Sequence, residues 1–352
     1  MSTATVRPKS LAATRAVALE AWSRPVGSAW VIERPRSAVR VPFPTAGSLD
    51  AGQVLLAMES VGLCGTDLHA WRGRAALPLV PCHDGAALVV AVGSEVERVQ
   101  PGQRVVVDPS IGCGVCSACG SPWPGRCDQG VYLGMSAPGL LAEGSIVPER
   151  SLVLLRDGVD ARSASVLEPV AVALALLERV GEMVSPGGRA LVVGGGPLGL
   201  VVSRVLAHAG FPATVSEALP GRRDRLSALG AEVADPRDAA LSGPFSLAVE
   251  TSATEEGSRA ALQALAPGGV LAVVGRSAAA VRLDEVLARD LAVVAVRGGA
   301  GRYQAAVDLV TQGAVAVHDV VSHEVAFAEA GTGLALAASE PDAVFRVMVR
   351  VP

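Results

Sequence analysis

Lysine occurs once in the 352 residues, at Lys9, so arginine carries nearly all the positive charge. Charged side chains make up 18% of the chain and the formal net charge is -4, which leaves no basic footprint for nucleic acid. There is no low-complexity tract and no long run of like charge. The longest apolar run, ALVVGGGPLGLVV at 190–202, is too short and too glycine-rich to span a bilayer. The early stretch LAATRAVALEAW is broken by Arg15 and Glu20 before an apolar core forms. No secretory signal is therefore expected, and the expected location is the cytoplasm. Six cysteines in such a chain point to metal or thiol chemistry more than to disulfides.

What is present divides in two. Residues 1 to about 160 hold short apolar runs broken by Gly and Pro, such as QVLLAMESVG and VQPGQRVVV, the pattern of an irregular β-rich domain. From about 165 strands and helices alternate. Strands are expected at 189–195, 213–217, 232–234, 245–252, 269–275 and 291–298, with helices at 198–210 and 222–230. Six short strands alternating with helices make an α/β doubly wound parallel sheet. After Gly299, YQAAVDLVTQG reads as one more amphipathic helix, and the strand-like tail VFRVMVRV is expected to return to the first domain.

Two motifs carry chemistry by their context. Gly194-x-Gly196-Pro197-Leu198-Gly199 follows a strand and opens a helix, so its backbone N–H groups suit a dinucleotide pyrophosphate. Glu217 ends the next strand, placed to accept hydrogen bonds from both adenosine ribose hydroxyls and to repel a 2′-phosphate. NAD is favoured over NADP, with Arg222 and Arg223 keeping NADP as the less favoured choice. The second motif, CGVCSACGSPWPGRC, spaces Cys113, Cys116, Cys119 and Cys127 so that four thiolates can close on a structural Zn²⁺. An iron–sulfur cluster is the rival, weakened by the seven-residue gap and by the absence of Pro after the last Cys. A disulfide pair is the third choice.

With GLCGTDLH, CHDGAALVVAVG, the four-cysteine stretch, AEGSIVP, LEPVAVAL, GGGPLGL and SEALPGRRDRLSALGA in one order, the chain resembles the zinc-dependent medium-chain alcohol dehydrogenase family over nearly its whole length. The Glu168-Pro169 pair looks like the sorbitol and threonine dehydrogenase branch. The resemblance implies a GroES-like catalytic domain at 1–160, an NAD-binding Rossmann domain at 161–299 and a C-terminal return at 300–352. It implies a catalytic zinc on Cys64, His83 and Glu168, with Asp84 in the outer shell and able to exchange places with Glu168. It implies a proton relay through Thr66 and His69. Cys82 is expected to face the core, while Trp71, Arg74 and Trp123 are candidates for the pocket wall.

The sequence departs from the family where Cys82-His83-Asp84 replaces the usual Gly-His-Glu, and at Ala87 and Gly144. The implied activity is hydride transfer between NAD and a secondary alcohol of a polyol, sugar derivative or amino alcohol, in a homo-oligomer, dimer or tetramer. A biosynthetic reductase of an aldehyde, ketone or activated alkene, and a zinc-stabilised NAD-binding protein without turnover, are the alternatives.

Overall fold

The computed structural model describes residues 24–45, 48–185, 187–238, 241, 243–276 and 279–352. The early stretch considered above as a secretion signal lies outside them.

Strands β1 (Arg24–Arg34) and β2 (Ser37–Thr45) form a hairpin. β3 (Gln53–Gly62) leads to helix α1 (Gly65–Trp71), then β4 (Asp84–Val92), β5 (Arg104–Val107) and the short pair β6 (Ser110–Ile111) and β7 (Val131–Tyr132). β8 (Gly144–Pro148) and β9 (Leu152–Leu154) follow, then helices α2 (Ala161–Ala164) and α3 (Leu167–Val180). The alternating part is β10 (Ala190–Val193), α4 (Pro197–His208), β11 (Ala213–Ser216), α5 (Pro220–Ala228), β12 (Glu232–Ala234), β13 (Phe245–Glu250), α6 (Glu255–Ala264), β14 (Leu265–Val273), α7 (Leu283–Ala288) and β15 (Ala292–Ala295). The chain closes with α8 (Tyr303–Thr311), β16 (His323–Ala326), α9 (Ala330–Ser339) and β17 (Val347–Arg350).

β10 to β15 form one parallel sheet in the order β12-β11-β10-β13-β14-β15. The order reverses between β10 and β13, so a ligand crevice opens at the carboxyl ends of these strands. All four side chains of β10 are buried because helices cover both faces. β15 is shorter than expected and ends at Ala295. The chain must leave the sheet there so that Gly299 can press against α3, where a Cβ would come within 2.5 Å of the Ala171 backbone.

The second sheet runs β16-β17-β3-β4-β5-β9, with β8 also on β3. β3 alternates half-buried and buried positions, and then its last residues are buried on both sides as the strand passes beneath the site. β17 pairs antiparallel with β3, Met348 opposite Gly62. That pairing carries Arg346, from the far end of the chain, into the neighbourhood of the residues after Gly62.

A candidate metal and dinucleotide site

Cys64 sits between β3 and α1. Asp67, one turn into α1, accepts from the Cys64 N–H at 2.8 Å with one oxygen and from the Cys82 N–H at 2.7 Å with the other. This buried carboxylate pins together the two loops that carry Cys64 and His83. Cys82 adopts φ +73°, the left-handed region that suits the glycine of the related motif. Its side chain is fully buried in the aliphatic core.

His83 is the hub. Its Nε2 lies 3.5 Å from Cys64 Sγ and 3.6 Å from Asp84 Oδ1, and the Tyr132 ring stands edge-on to it at 5.3 Å. Possible donor atoms of Cys64, Asp67 and His83 lie within 4.8 Å of one another, and so do those of His83, Asp84 and Glu168. Asp67 is spent on backbone N–H groups. Asp84 gives Oδ2 to the buried Arg346 guanidinium, which also donates to the Ser165 carbonyl at 2.7 Å. Glu168, at the start of α3, accepts from the Tyr132 hydroxyl through Oε1 at 3.2 Å.

The electrostatics fit a bound cation. Burial, then the Asp84 charge, pushes the Glu168 carboxyl up to about 7. Burial, then Asp67, raises the Cys64 thiol. Burial lowers the His83 pKa, but the Cys64 and Asp84 charges outweigh it and hold the imidazole well above its ordinary value. His83 Nδ1 and Asp84 Oδ1 are buried with no hydrogen-bond partner among the described residues. Soft sulfur, imidazole and carboxylate in one dry pocket are a zinc donor set. Arg346 is the neutralising charge already built in.

Removing Arg346 leaves the Asp84 carboxylate buried and unpaired. Arg346→Ala is therefore expected to cost about 3–5 kcal/mol of stability. Gly62→Ala should act in the same direction, because a Cβ at Gly62 collides with the Arg346 guanidinium and lies 2.6 Å from the Ser165 carbonyl. Urea denaturation checks both, and a loss under about 1 kcal/mol for Arg346→Ala contradicts the buried-pair account.

The four-cysteine stretch folds on itself. Cys113 Sγ lies 3.9 Å from Cys119 Sγ, and Cys116 Sγ lies 3.7 Å from Cys127 Sγ. Four sulfurs at about 2.3 Å from a tetrahedral zinc stand about 3.8 Å apart, so the spacing fits the ion. The N–H groups of Cys113 and Gly114 each point at a sulfur at 3.3 Å. The Val115 and Cys116 N–H groups bring the Cys113 thiol down to about 6. Gly112 is required here, since a Cβ would approach Cys119 Sγ to 2.5 Å.

At the other end of the crevice Gly194 takes φ +103° and Gly199 packs on the Gly194 carbonyl, leaving no space for a Cβ. Gly196 precedes α4, Pro197 occupies its first turn, and Leu198 packs half-buried against the core. Glu217 is buried at the end of β11, where Oε2 accepts from Gly195 N–H and Oε1 from Leu219 N–H, both at 2.8 Å. Arg222 Nη1 lies 4.0 Å from Glu217 Oε2. Arg223 points away, onto the Glu217 and Ala218 carbonyls and onto Asp235 at 3.1 Å.

Thr66 and His69 sit three residues apart on α1, both half-buried. Trp71, a pocket candidate, is instead buried in the core, since it lies on the inward face of α1. Trp123 is stacked among the guanidinium groups of Arg302, Arg126 and Arg179 at 4.7–5.3 Å, away from the His83 cluster's own contacts. Asp67, Tyr132 and Arg346 escaped sequence reasoning. The spacing of Asp67 from Cys64 is that of a helix-start carboxylate and offered a clue; Tyr132 and Arg346 gave none, because only pairing across the sheets brings them in.

A chain with a cluster of possible metal donors in one half and a doubly wound parallel sheet in the other is what this fold and site define. The alcohol dehydrogenase GroES-like domain family matches residues 50–157. The chain is 32% identical over 264 residues to an L-threonine 3-dehydrogenase of Saccharopolyspora erythraea, covering 69% of this chain and 74% of that one. The chain belongs to the zinc-dependent medium-chain alcohol dehydrogenase family.

It is also 33% identical over 195 residues to a 2-dehydro-3-deoxy-L-galactonate 5-dehydrogenase of Pseudoalteromonas atlantica, but that match spans 54% of this chain and 57% of the relative. In fold it is similar to the 2R,3R-butanediol dehydrogenase of Bacillus subtilis, with a TM-score of 0.80, 23% identity, and coverage of 92% of this chain and 99% of that one.

Proposed function

We propose that this chain is a zinc- and NAD-dependent dehydrogenase acting on a secondary alcohol of a polyol or sugar derivative. The observation that carries the reading is the two sets of donor atoms that meet at the buried His83, Cys64 on one side and Asp84 with Glu168 on the other, together with the glycine turn and Glu217 at the ends of the parallel strands. Bound there, zinc supplies Lewis-acid polarisation of the substrate oxygen, and the dinucleotide supplies the hydride acceptor. Cys113, Cys116, Cys119 and Cys127 hold the second, structural ion. Elemental analysis finding two zinc ions per chain and NADH absorbance rising with a panel of polyols and sugar acids test this. One zinc or none in carefully prepared protein overturns it.

Thr66 takes the proton of the substrate hydroxyl and His69 passes it outward. Burial lowers the His69 pKa, and the Arg74, Arg72 and Arg276 charges lower it further, so the ring is neutral and can accept a proton near pH 7. Arg74→Ala removes one of those charges. The His69 pKa should rise, and the acid limb of the kcat profile should move to higher pH. A limb that stays in place removes His69 from the relay.

The same guanidinium groups narrow the substrate. Among the described residues the charges that act on His69 are those of Arg74, Arg72 and Arg276. Arg72 is partly spent on the Ala338 carbonyl at 3.1 Å, whereas Arg74 and Arg276 are exposed and make no ion pair among the described residues. In a chain of net charge -4 this cationic rim favours a hydroxy compound bearing a carboxylate or phosphate. Paired assays of an aldonate, a polyol phosphate and the neutral polyol decide it, and equal kcat/KM for all three overturns it.

No helix among the described residues is long and apolar enough to cross a membrane. The location we propose is the cytoplasm, which fractionation tests. β15 is the open edge of its sheet, with Val293 on it and Leu283 and Leu287 of α7 all exposed. These features support a homodimer through that edge, and light scattering that finds a monomer rules it out.

A further inference from the structure

The first turn of α5 has no cap of its own, because the residue before it is Leu219. Its cap comes from a segment 120 residues further on, where Asp342 Oδ1 accepts from the Arg222 N–H at 3.0 Å. The Arg222 Nε–H donates to the neighbouring Pro341 carbonyl at 2.6 Å. Gly221 makes the approach possible, since a Cβ there would lie 2.7 Å from Asp342 Oδ1. The far end of the same guanidinium, Nη1, lies 3.9 Å from the place of a Cβ on Gly196 and 4.0 Å from Glu217 Oε2. The Arg222 side chain thus stands between Glu217 at the end of β11 and the Pro341 carbonyl, while its backbone N–H is taken by Asp342 in the loop between α9 and β17.

A 2′-phosphate arriving beside Glu217 needs a cation that is not already engaged, and it gains from unused N–H groups at a helix start. Neither is on offer here. Arg222 is tied to the 341–342 segment, and the α5 N-terminus already faces a negative charge. Arg223 is no substitute, being held on Asp235 and on backbone carbonyls. A dinucleotide without the phosphate meets no such obstacle.

We propose that Asp342 is a specificity-determining residue that acts with Glu217 to exclude a 2′-phosphorylated dinucleotide, by setting its carboxylate on the α5 N-terminus beside the Pro341 carbonyl that engages the Arg222 guanidinium. The inference rests on the reading of this turn as an NAD site. Exclusion of this kind works by placing like charge against the wrong ligand.

The test is fluorescence titration of the purified, zinc-loaded protein with NADH and with NADPH. Asp342→Ala should tighten NADPH about ten-fold, equivalent to about 1.4 kcal/mol, and leave NADH within about two-fold. Asp342→Asn keeps an oxygen for the Arg222 N–H and removes only the charge, so it should show the gain even if the α5 turn frays in the alanine variant. Unchanged NADPH affinity in both variants overturns the inference. Glu217→Ala tests the underlying reading. If it gains NADPH and the Asp342 variants do not, the NAD site stands and Asp342 has no part in selection. If the wild type binds NADPH as tightly as NADH, the NAD reading itself fails and the Asp342 inference with it.

Discussion

Glu168→Ala is expected to release one of two zinc ions and to lower kcat on the order of 10³-fold or more. Lewis-acid stabilisation is worth several kcal/mol, and each ~1.4 kcal/mol is a factor of ten in rate. The carboxyl lies in a desolvated setting, its pKa is pushed up to about 7, and among the described residues only Oε1 is engaged, by the Tyr132 hydroxyl. Both observations describe a group waiting for a cation. Cys64→Ala should release the same ion.

Asp84→Asn should keep the metal and lose part of the activity, because Asp84 Oδ2 is committed to Arg346. The rival assignment has its own support in the unpartnered Asp84 Oδ1, 3.6 Å from His83 Nε2. Elemental analysis of the two variants separates the cases. Zinc retained in Glu168→Ala and lost in Asp84→Asn would make Asp84 the third ligand and move Glu168 to the outer position. His83 is a donor under either outcome.

The second large effect is on stability. Cys119→Ser should release the other zinc and destabilise the protein at the large end of the single-substitution range, roughly 4 kcal/mol. For a chain of this size that lowers Tm by roughly 5 °C. The reason is that metal binding and folding of such a stretch are one process. Among the described residues the four-cysteine stretch contains one short 3₁₀ turn, Pro124–Arg126, and no longer element. Its sulfurs are held by one another and by a few N–H groups. The effect should spread, because Gly125 packs on Ala300 and the Gly301 N–H donates to Asp108 at 3.1 Å. Gly112→Ala, with its Cβ set 2.5 Å from Cys119 Sγ, should repeat the loss of zinc with every cysteine still present. Scanning calorimetry with zinc analysis checks this, and a Cys119→Ser protein with wild-type Tm and both ions contradicts it.

The sequence by itself determined what is local. Strand and helix periods marked all six strands of the parallel sheet, because each is a short, largely apolar run set off by Gly, Pro or a helix. Glycine at 194 and 199 announced a tight turn between β10 and α4, since neither position leaves room for a Cβ. The cysteine spacing announced four sulfurs that converge, because the residues between them are few.

Only the tertiary structure decided what depends on partners far apart in the chain. Arg346 reaches Asp84 through the antiparallel pairing of β17 with β3, and Tyr132 reaches Glu168 from a two-residue strand. Asp342 caps a helix that begins at Pro220. Nothing in a residue's own neighbourhood records such contacts. Their strength comes from burial and from charge brought close by the fold, so the choice between Glu168 and Asp84, and the hold on Arg222, were invisible until the two sheets were assembled.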